Sequence, residues 1–283
     1  MVIALLIVFG LSLGSFVNAL VWRLHEQAEL SRRKKRTKQQ AEYLHDLSIS
    51  RGRSMCPHCH HELAAKDLVP VLSWLSLRGK CRYCQKPISW QYPLVELLMA
   101  VIFVFTYLYW PLTLSGQNWV QFAAFLVLLV GFMALSVYDI LWFLLPDRLI
   151  APLTFIAVVT VLFVSFTSHD GLATFANAAG GATVIAILFY ALFWFSKGQW
   201  IGGGDVKLAP MLGLLAGNPI KALLVVFFAS LIGLLVAVPL MIRGKANRSS
   251  HIPFGPCLMA AALLVVLFGG NIVHAYEAVF TLN

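Results

Sequence analysis

A chain of 283 residues that is 60% hydrophobic and 12% charged, with a mean hydropathy of +0.81, has the profile of a polytopic membrane protein, not of a conventional water-soluble domain. The formal charge is +9, and 14 of the 21 Lys and Arg residues fall between Arg23 and Lys86. That clustering marks a cytoplasmic face by the positive-inside rule, and a solvated loop beside anionic lipid accounts for it without nucleic acid as a partner.

The first apolar run, Val2 to Trp22, has no basic n-region and no small-residue cleavage site, and a strongly basic segment follows it. It reads as a retained first span, not a signal peptide. Within it, Gly14-Ser15-Phe16-Val17-Asn18 joins small residues to one amide. The pattern serves either close helix packing with a cross-helix hydrogen bond, or the lining of a site. Next comes the one sizeable polar region, from about Arg23 to Gln91. Its first part, His25 to Ser50, reads as a helical continuation. Ser31-Arg32-Arg33-Lys34-Lys35-Arg36 suits anionic headgroups at about 1 kcal/mol per basic residue, or serves only to orient the chain.

Two C-x-x-C pairs follow, Cys56-Pro57-His58-Cys59 and Cys81-Arg82-Tyr83-Cys84. Their spacing is close to that of a zinc ribbon, in which four thiolates complete a tetrahedral shell and staple a loop domain with little core. Thiol redox chemistry is the competing reading, and disulfides are disfavoured on the reducing side. His58, His60 and His61 are candidate substitute ligands, but read better as surface residues. Cys257 reads as an inert apolar residue.

Further apolar runs lie near 92–110, 119–138, 148–167, 173–195, 206–217, 221–242 and 256–275. Most reach the ~20 residues that cross ~30 Å of hydrocarbon. The run 206–217 is short, which calls for tilt or local thinning of the bilayer. Eight spans with an outside N-terminus leave the loops near 111–118 and 168–172, and the tail after 276, free of Lys and Arg. Lys221 falls outside, while Arg148, Lys197, Lys207, Arg243, Lys245 and Arg248 fall inside. This topology sets Asp139, Asp147 and Asp205 at the cytoplasmic ends of their spans.

An ionised acid at membrane depth costs about 2.5–3.5 kcal/mol on insertion scales, so acids there point to function. Asp205 stands in Gly202-Gly203-Gly204-Asp205-Val206-Lys207, where glycines permit close backbone approach. Asp139 closes another span. Two such carboxylates within reach share a proton, so one activates water while the other protonates the leaving amine. Peptide hydrolysis needs these parts alone. The competing readings are a helix-end acid partnered by Arg148 or Lys207 for Asp139, and a helix N-cap for Asp205. Asp147 competes with Asp139 for the catalytic role, but Pro146-Asp147 just before a helix reads as a cap, and Lys207 either snorkels to the interface or favours the charged form of Asp205. Glu96, in Tyr92-Pro93-Leu94-Val95-Glu96, binds a basic substrate segment or pairs with a loop cation. Ile252-Pro253-Phe254-Gly255-Pro256 sets the entry angle of the last span or lines the site.

These motifs, in this order, resemble the type IV prepilin peptidases, membrane aspartic peptidases that process pilins and type II secretion pseudopilins. The shared stretches also include Pro70-Val71-Leu72-Ser73-Trp74, Arg78-Gly79-Lys80-Cys81 and Leu145-Pro146-Asp147. The resemblance implies catalytic aspartates at Asp139 and Asp205. It also implies cleavage, at the cytoplasmic face of the inner membrane, between a basic leader ending in Gly and an apolar stem. It further implies N-methylation of the new N-terminus from S-adenosylmethionine, an activity tied to the cysteine-bearing loop. The chain departs from the family in having Leu24-His25 after Arg23, where a Pro is usual, and in its long basic segment from Glu26 to Ser50.

The expected fold is therefore all-α and polytopic, with about eight transmembrane helices and a small cytoplasmic zinc-ribbon-like loop domain. The expected domains are 1–22, a first transmembrane helix; 23–91, a cytoplasmic domain with the basic segment and the four clustered cysteines; and 92–283, a seven-helix membrane peptidase domain. Catalysis falls to Asp139 and Asp205, substrate binding to Gly202, Gly204, Lys207 and Glu96, and structural zinc to Cys56, Cys59, Cys81 and Cys84. The expected partners are prepilin or pseudopilin precursors and membrane lipids. A proton- or cation-coupled transporter and a non-catalytic assembly scaffold are the alternatives.

Overall fold

The computed structural model describes residues 1–32, 47–48, 52–244 and 252–280. The basic run Arg33 to Arg36, and Lys245 and Arg248, lie outside the described residues. Among the described residues the architecture is helical, with two isolated β-bridges and no strand. The chain divides into two compact units, Met1–Leu108 and Tyr109–Asn283.

The first unit is built on α1 (Val2–Arg32) and α3 (Gln91–Leu108), which pack along each other. At 31 residues α1 is about 46 Å long, so it outruns ~30 Å of hydrocarbon and its polar last third continues beyond Trp22. Gly10 and Gly14 stand one turn apart at the crossing. A Cβ would lie 2.5 Å from the Ala100 Cα at Gly10 and 2.6 Å from the Glu96 Cα at Gly14. The small residues therefore let the two backbones touch, as the motif in the first span suggested. The amide also does what its position suggested, since Asn18 Nδ2 donates to the Tyr92 carbonyl at 3.1 Å. Between the two helices run the cysteine loop and a short helix α2 (Leu72–Ser76).

The second unit contains α4 (Asn118–Trp142), α5 (Asp147–Thr167), α6 (Gly171–Phe195), α7 (Gly203–Ala216), α8 (Pro219–Ile242) and α9 (Gly255–Phe280). Counting α1 and α3, seven helices among the described residues are long and apolar enough to cross a membrane. The eighth expected span, α7, has 14 residues and is about 21 Å long. Its shortness has a reason in packing. It rests against α5, α6, α8 and α9, and half of its residues are buried. A helix enclosed by protein satisfies its surroundings without matching the bilayer. The closest crossing is at Gly213 of α7, where a Cβ would lie 2.5 Å from the Gly181 carbonyl oxygen of α6.

Candidate active site

In the second unit, three helix ends gather around two acids. α4 stops at Trp142, three residues after Asp139, because Phe143 takes a left-handed conformation (φ 55°) and its N–H returns to the Asp139 carbonyl at 2.8 Å. Asp139 thus sits in the last turn of α4. Asp205 sits in the first turn of α7, whose N-cap is Gly202. The N-cap reading of Asp205 is corrected accordingly: it is the third helical residue, and its carboxylate accepts the Gly202 backbone N–H, half of a capping box. The third end is the start of α9, where the Gly255 N–H donates to Asp139 Oδ2 at 3.1 Å.

Both carboxyl groups are nearly out of solvent, Asp139 at 6% and Asp205 at 8% exposure. Each lies within electrostatic range of the other, and the buried Cys257 thiol lies within range of both. Leu145 packs behind them: a Cβ at Gly204 would lie 2.8 Å from its Cβ, and one at Gly255 would lie 3.4 Å from its Cδ2. Gly204 is thus fixed by packing, whereas a Cβ at Gly202 would meet only Asp205 Oδ2, at 3.4 Å. Lys207 does not partner Asp139. Its Nζ bridges both oxygens of Asp147 at 2.8 Å, in an exposed pair.

In the first unit, the two cysteine pairs fold into matching knuckles. Cys56 N–H donates to His61 O and Cys81 N–H to Lys86 O. In return the His60 and Gln85 N–H groups donate to the Cys56 and Cys81 carbonyls. Both turns need a left-handed residue just after the second cysteine, His60 (φ 56°) and Gln85 (φ 58°). The Sγ atoms of Cys56, Cys59, Cys81 and Cys84 all lie within 4.8 Å of one another. Cys56 and Cys84 are 3.9 Å apart, against an edge of about 3.8 Å for a tetrahedron with ~2.3 Å metal–sulfur bonds. The donor set therefore fits a tetrahedral metal ion. Burial pushes the Cys56 thiol up to about 12, whereas at Cys81 burial is outweighed by the Cys84 and Tyr83 backbone N–H groups, which bring it down to about 7, so Cys81 ionises more readily than Cys56. The three histidines are exposed, as expected, and the His61 ring lies against Tyr83 with centroids 3.7 Å apart at a 39° tilt.

Glu96 is buried at 6% exposure. It accepts the Val71 N–H at 2.7 Å and the Ser15 hydroxyl. Among the described residues no Lys or Arg pairs with it, so the expected loop cation is not its partner there.

Residues 8–110 match the model of the bacterial peptidase A24 N-terminal domain, and residues 126–238 match the type IV leader peptidase family. The chain belongs to the type IV leader peptidase family. A relative from Aeromonas hydrophila, named prepilin leader peptidase/N-methyltransferase, is 34% identical over 290 residues, covering 96% of this chain and 93% of that one. Relatives of the same name from Stutzerimonas stutzeri and Bacillus subtilis (strain 168) are each 32% identical. They cover 95% and 97% of this chain, and 92% and 97% of their own lengths. No solved structure matches the chain. Family membership and seven apolar helices make it a multi-pass membrane protein. The relatives give no support to a transporter or a scaffold.

The family match stops at residue 238, before Gly255, yet Gly255 holds Asp139. The sequence left this role open, because a Gly-Pro helix entry looks the same whether it sets an angle or grips an acid. Asp67 escaped notice altogether. Its carboxylate, with a side chain 3% exposed, accepts from Arg82 Nε at 2.7 Å and Tyr83 Oη at 3.1 Å, and so braces the second knuckle. Burial pulls this carboxyl up, but those two donors outweigh it and hold it below the usual carboxylate range.

Proposed function

We propose that this protein is a membrane aspartic endopeptidase. It cleaves the basic leader from type IV prepilin or pseudopilin precursors at the cytoplasmic face of the inner membrane, then N-methylates the new N-terminus. The observation that carries the peptidase reading is the pair of buried carboxyl groups, Asp139 and Asp205, brought from different helices into each other's field. Two acids so placed hold one proton between them. The ionised one draws a proton from water, and the protonated one polarises the scissile carbonyl and then donates to the leaving amine. The names of the relatives support both the substrate class and the second activity.

In this reading Gly202 leaves room for the extended substrate backbone beside Asp205, while Gly204 keeps α7 seated on Leu145. Lys207, held by Asp147, sits at the rim. Residues 23–91 form the cytoplasmic domain, and their four cysteines hold a structural zinc ion that ties the two knuckles together. The peptidase domain, expected from residue 92, is better drawn at residues 109–283, because α3 belongs with α1 in the first unit; it meets lipid and no nucleic acid.

The test is Asp139→Asn and Asp205→Asn, each assayed with a prepilin in membranes. Loss of an acid–base partner is expected to slow cleavage by at least about 10²- to 10⁴-fold. Full processing by either variant rules out the dyad. The mass of the processed product reads the second activity separately: an added N-methyl group supports it, and an unmodified N-terminus counts against it.

A further inference from the structure

α7 is short, and its neighbours are not. At 25 residues α4 runs about 37 Å, against about 21 Å for α7, so the bundle continues past the end of α7 at Ala216. α4 packs on α5 and α9 but has no extended contact with α7. Where α7 stops, the second unit holds a cavity of about 180 Å³, lined from α4 by Gln121, Phe125 and Leu128 and from the last turn of α7 by Leu214 and Leu215. All of its lining falls within residues 109–283. Gln121 and Asp139 lie toward opposite ends of α4, about 27 Å apart, so the cavity is remote from the two acids and takes no part in cleavage.

The lining is graded. At the mouth, the end remote from the acids, stand the half-buried Trp110, Gln121 and Thr174. Deeper, the floor is apolar and closed: Phe125, Leu128 and Ala178 are each at most 3% exposed. Trp110 carries the feature that points to a ligand. Its ring is fixed edge-on to Phe122 at 5.2 Å and tilted against Phe125 at 5.5 Å. Its Nε1 is buried and has no acceptor among the described residues. A donor fixed in that state is costly to keep unless something accepts from it. The volume then selects the occupant. It is below the ~300–1,000 Å³ of sites for drug-sized molecules. About six waters at ≈30 Å³ each would fill it, but each wants two to four polar partners. The floor side chains offer none, and the Thr160 and Thr174 hydroxyls spend their protons on the Ile156 and Asp170 carbonyls. One alkyl chain fits both the volume and the apolar floor. An ester carbonyl at its head supplies the acceptor that Trp110 lacks, at the depth where tryptophans meet the edge of the hydrocarbon.

We propose that the cavity at the end of α7 is a binding site for one acyl chain of a glycerophospholipid, with the hydrocarbon on the floor formed by Leu128 and Ala178 and the ester carbonyl accepting the Trp110 Nε1–H. The site is independent of the peptidase and methyltransferase readings. Bulk lipid is as apolar as the floor, so the hydrophobic effect does not hold the chain in place. Close packing and the one hydrogen bond do. The chain seals the space between α4 and α7 where the two have no extended contact, and it leaves the level of α7 to the four helices around it.

The test uses the full-length protein in nanodiscs of phosphatidylethanolamine and phosphatidylglycerol, with a phosphatidylglycerol carrying a diazirine in its acyl tail as the probe. Photolabelling is followed by peptide mapping. Because α7 is ringed by α5, α6, α8 and α9, label on Leu214 or Leu215 reports the cavity, whereas label on the exposed Phe227 or Leu234 of α8 reports bulk lipid. Wild type is expected to be labelled at both places. Ala178→Leu, which fills the floor, is expected to cut the α7 label by about tenfold while the α8 label holds. Trp110→Phe, which keeps a ring but loses the N–H, is expected to lower the α7 label about two- to tenfold at subsaturating probe, the loss of one hydrogen bond. The melting temperature shows that each variant is folded, and should Ala178→Leu fail to fold, Trp110→Phe carries the test. An α7 label absent from wild type, or undiminished in a folded variant, overturns the proposal. So does competition for the α7 label by a prepilin, which makes the cavity a substrate site. Labelling of α7 by a water-soluble diazirine and not by the lipid makes it a water pocket and overturns the proposal equally.

Discussion

Gly255→Ala should slow prepilin cleavage by about 10- to 100-fold without unfolding the protein. The added Cβ would sit 2.7 Å from Asp139 Oδ2, and 3.4 Å from both Asp139 Cγ and Leu145 Cδ2. Carbon–oxygen contacts settle at about 3.3 Å or beyond, so the carboxyl must retreat by roughly 0.6 Å. That retreat stretches the 3.1 Å bond from the Gly255 N–H to about 3.7 Å, past hydrogen-bonding range. Reacting groups tolerate about 0.5 Å of misplacement, and about 1 Å costs ~10²-fold. The expected loss is thus about 1.4–2.7 kcal/mol of transition-state stabilisation. Gly270→Ala is the control. It lies in the same helix with nothing within 4 Å of its added Cβ, so it should be neutral or stabilise α9 by up to about 1 kcal/mol. The assay is gel separation of processed from unprocessed prepilin at subsaturating substrate, with the melting temperature measured on the same samples. Cleavage by a stably folded Gly255→Ala within about twofold of wild type would show that this contact does not set the position of Asp139.

The other glycines beside the acids should behave differently from one another. Gly204→Ala should lose both stability and activity, because its Cβ meets Leu145 at 2.8 Å, whereas Gly202→Ala and Gly203→Ala should keep the wild-type melting temperature. Equal melting temperatures for all three would contradict the packing given for Gly204. Asp67→Asn should loosen the second knuckle by about 1.5–3 kcal/mol, the usual contribution of hydrogen bonds to a charged group. Because the folded state holds Asp67 below its unfolded range near 3.9, this contribution is complete above about pH 4 and fades as the pH falls through the folded value. Acid titration of the total tryptophan fluorescence, with Trp74→Phe to isolate the Trp74 share, in wild type and Asp67→Asn measures it, and coincident curves would remove Asp67 from the account. Chelation, or Cys56→Ser, should release about one zinc ion per chain and loosen the two knuckles while leaving α4 to α9 folded. Elemental analysis that finds no zinc in protein prepared with zinc present would rule out the structural metal.

Much of this molecule was legible in its amino-acid order because membranes and metals impose local rules. A span must be a long apolar run, so α1, α3, α4, α5, α6, α8 and α9 announce themselves. An acid in or beside such a run stands out, as Asp139, Glu96 and, at the head of the short α7, Asp205 do. Two C-x-x-C pairs declare a tetrahedral cluster because ligand spacing within each knuckle is local. The remainder depends on contacts between distant positions. Gly255 reaches Asp139 across 116 residues, and no periodicity records that. Asp67 looks like any loop acid until the fold brings Arg82 and Tyr83 to it. Gly10 gains meaning only with Gly14 and the facing backbone of α3. The first helix ran past Trp22 because a helix stops where its hydrogen bonds stop, not where its hydrophobicity does.

The shortness of α7 has a consequence for how this machine meets its surroundings. Ringed by α5, α6, α8 and α9, it takes its height from protein neighbours and not from acyl chains. The Asp205 that it carries is therefore set at one level by the scaffold. A bilayer that swells or shrinks around the outer helices moves the lipid past that level and leaves the Asp205 carboxyl where it was.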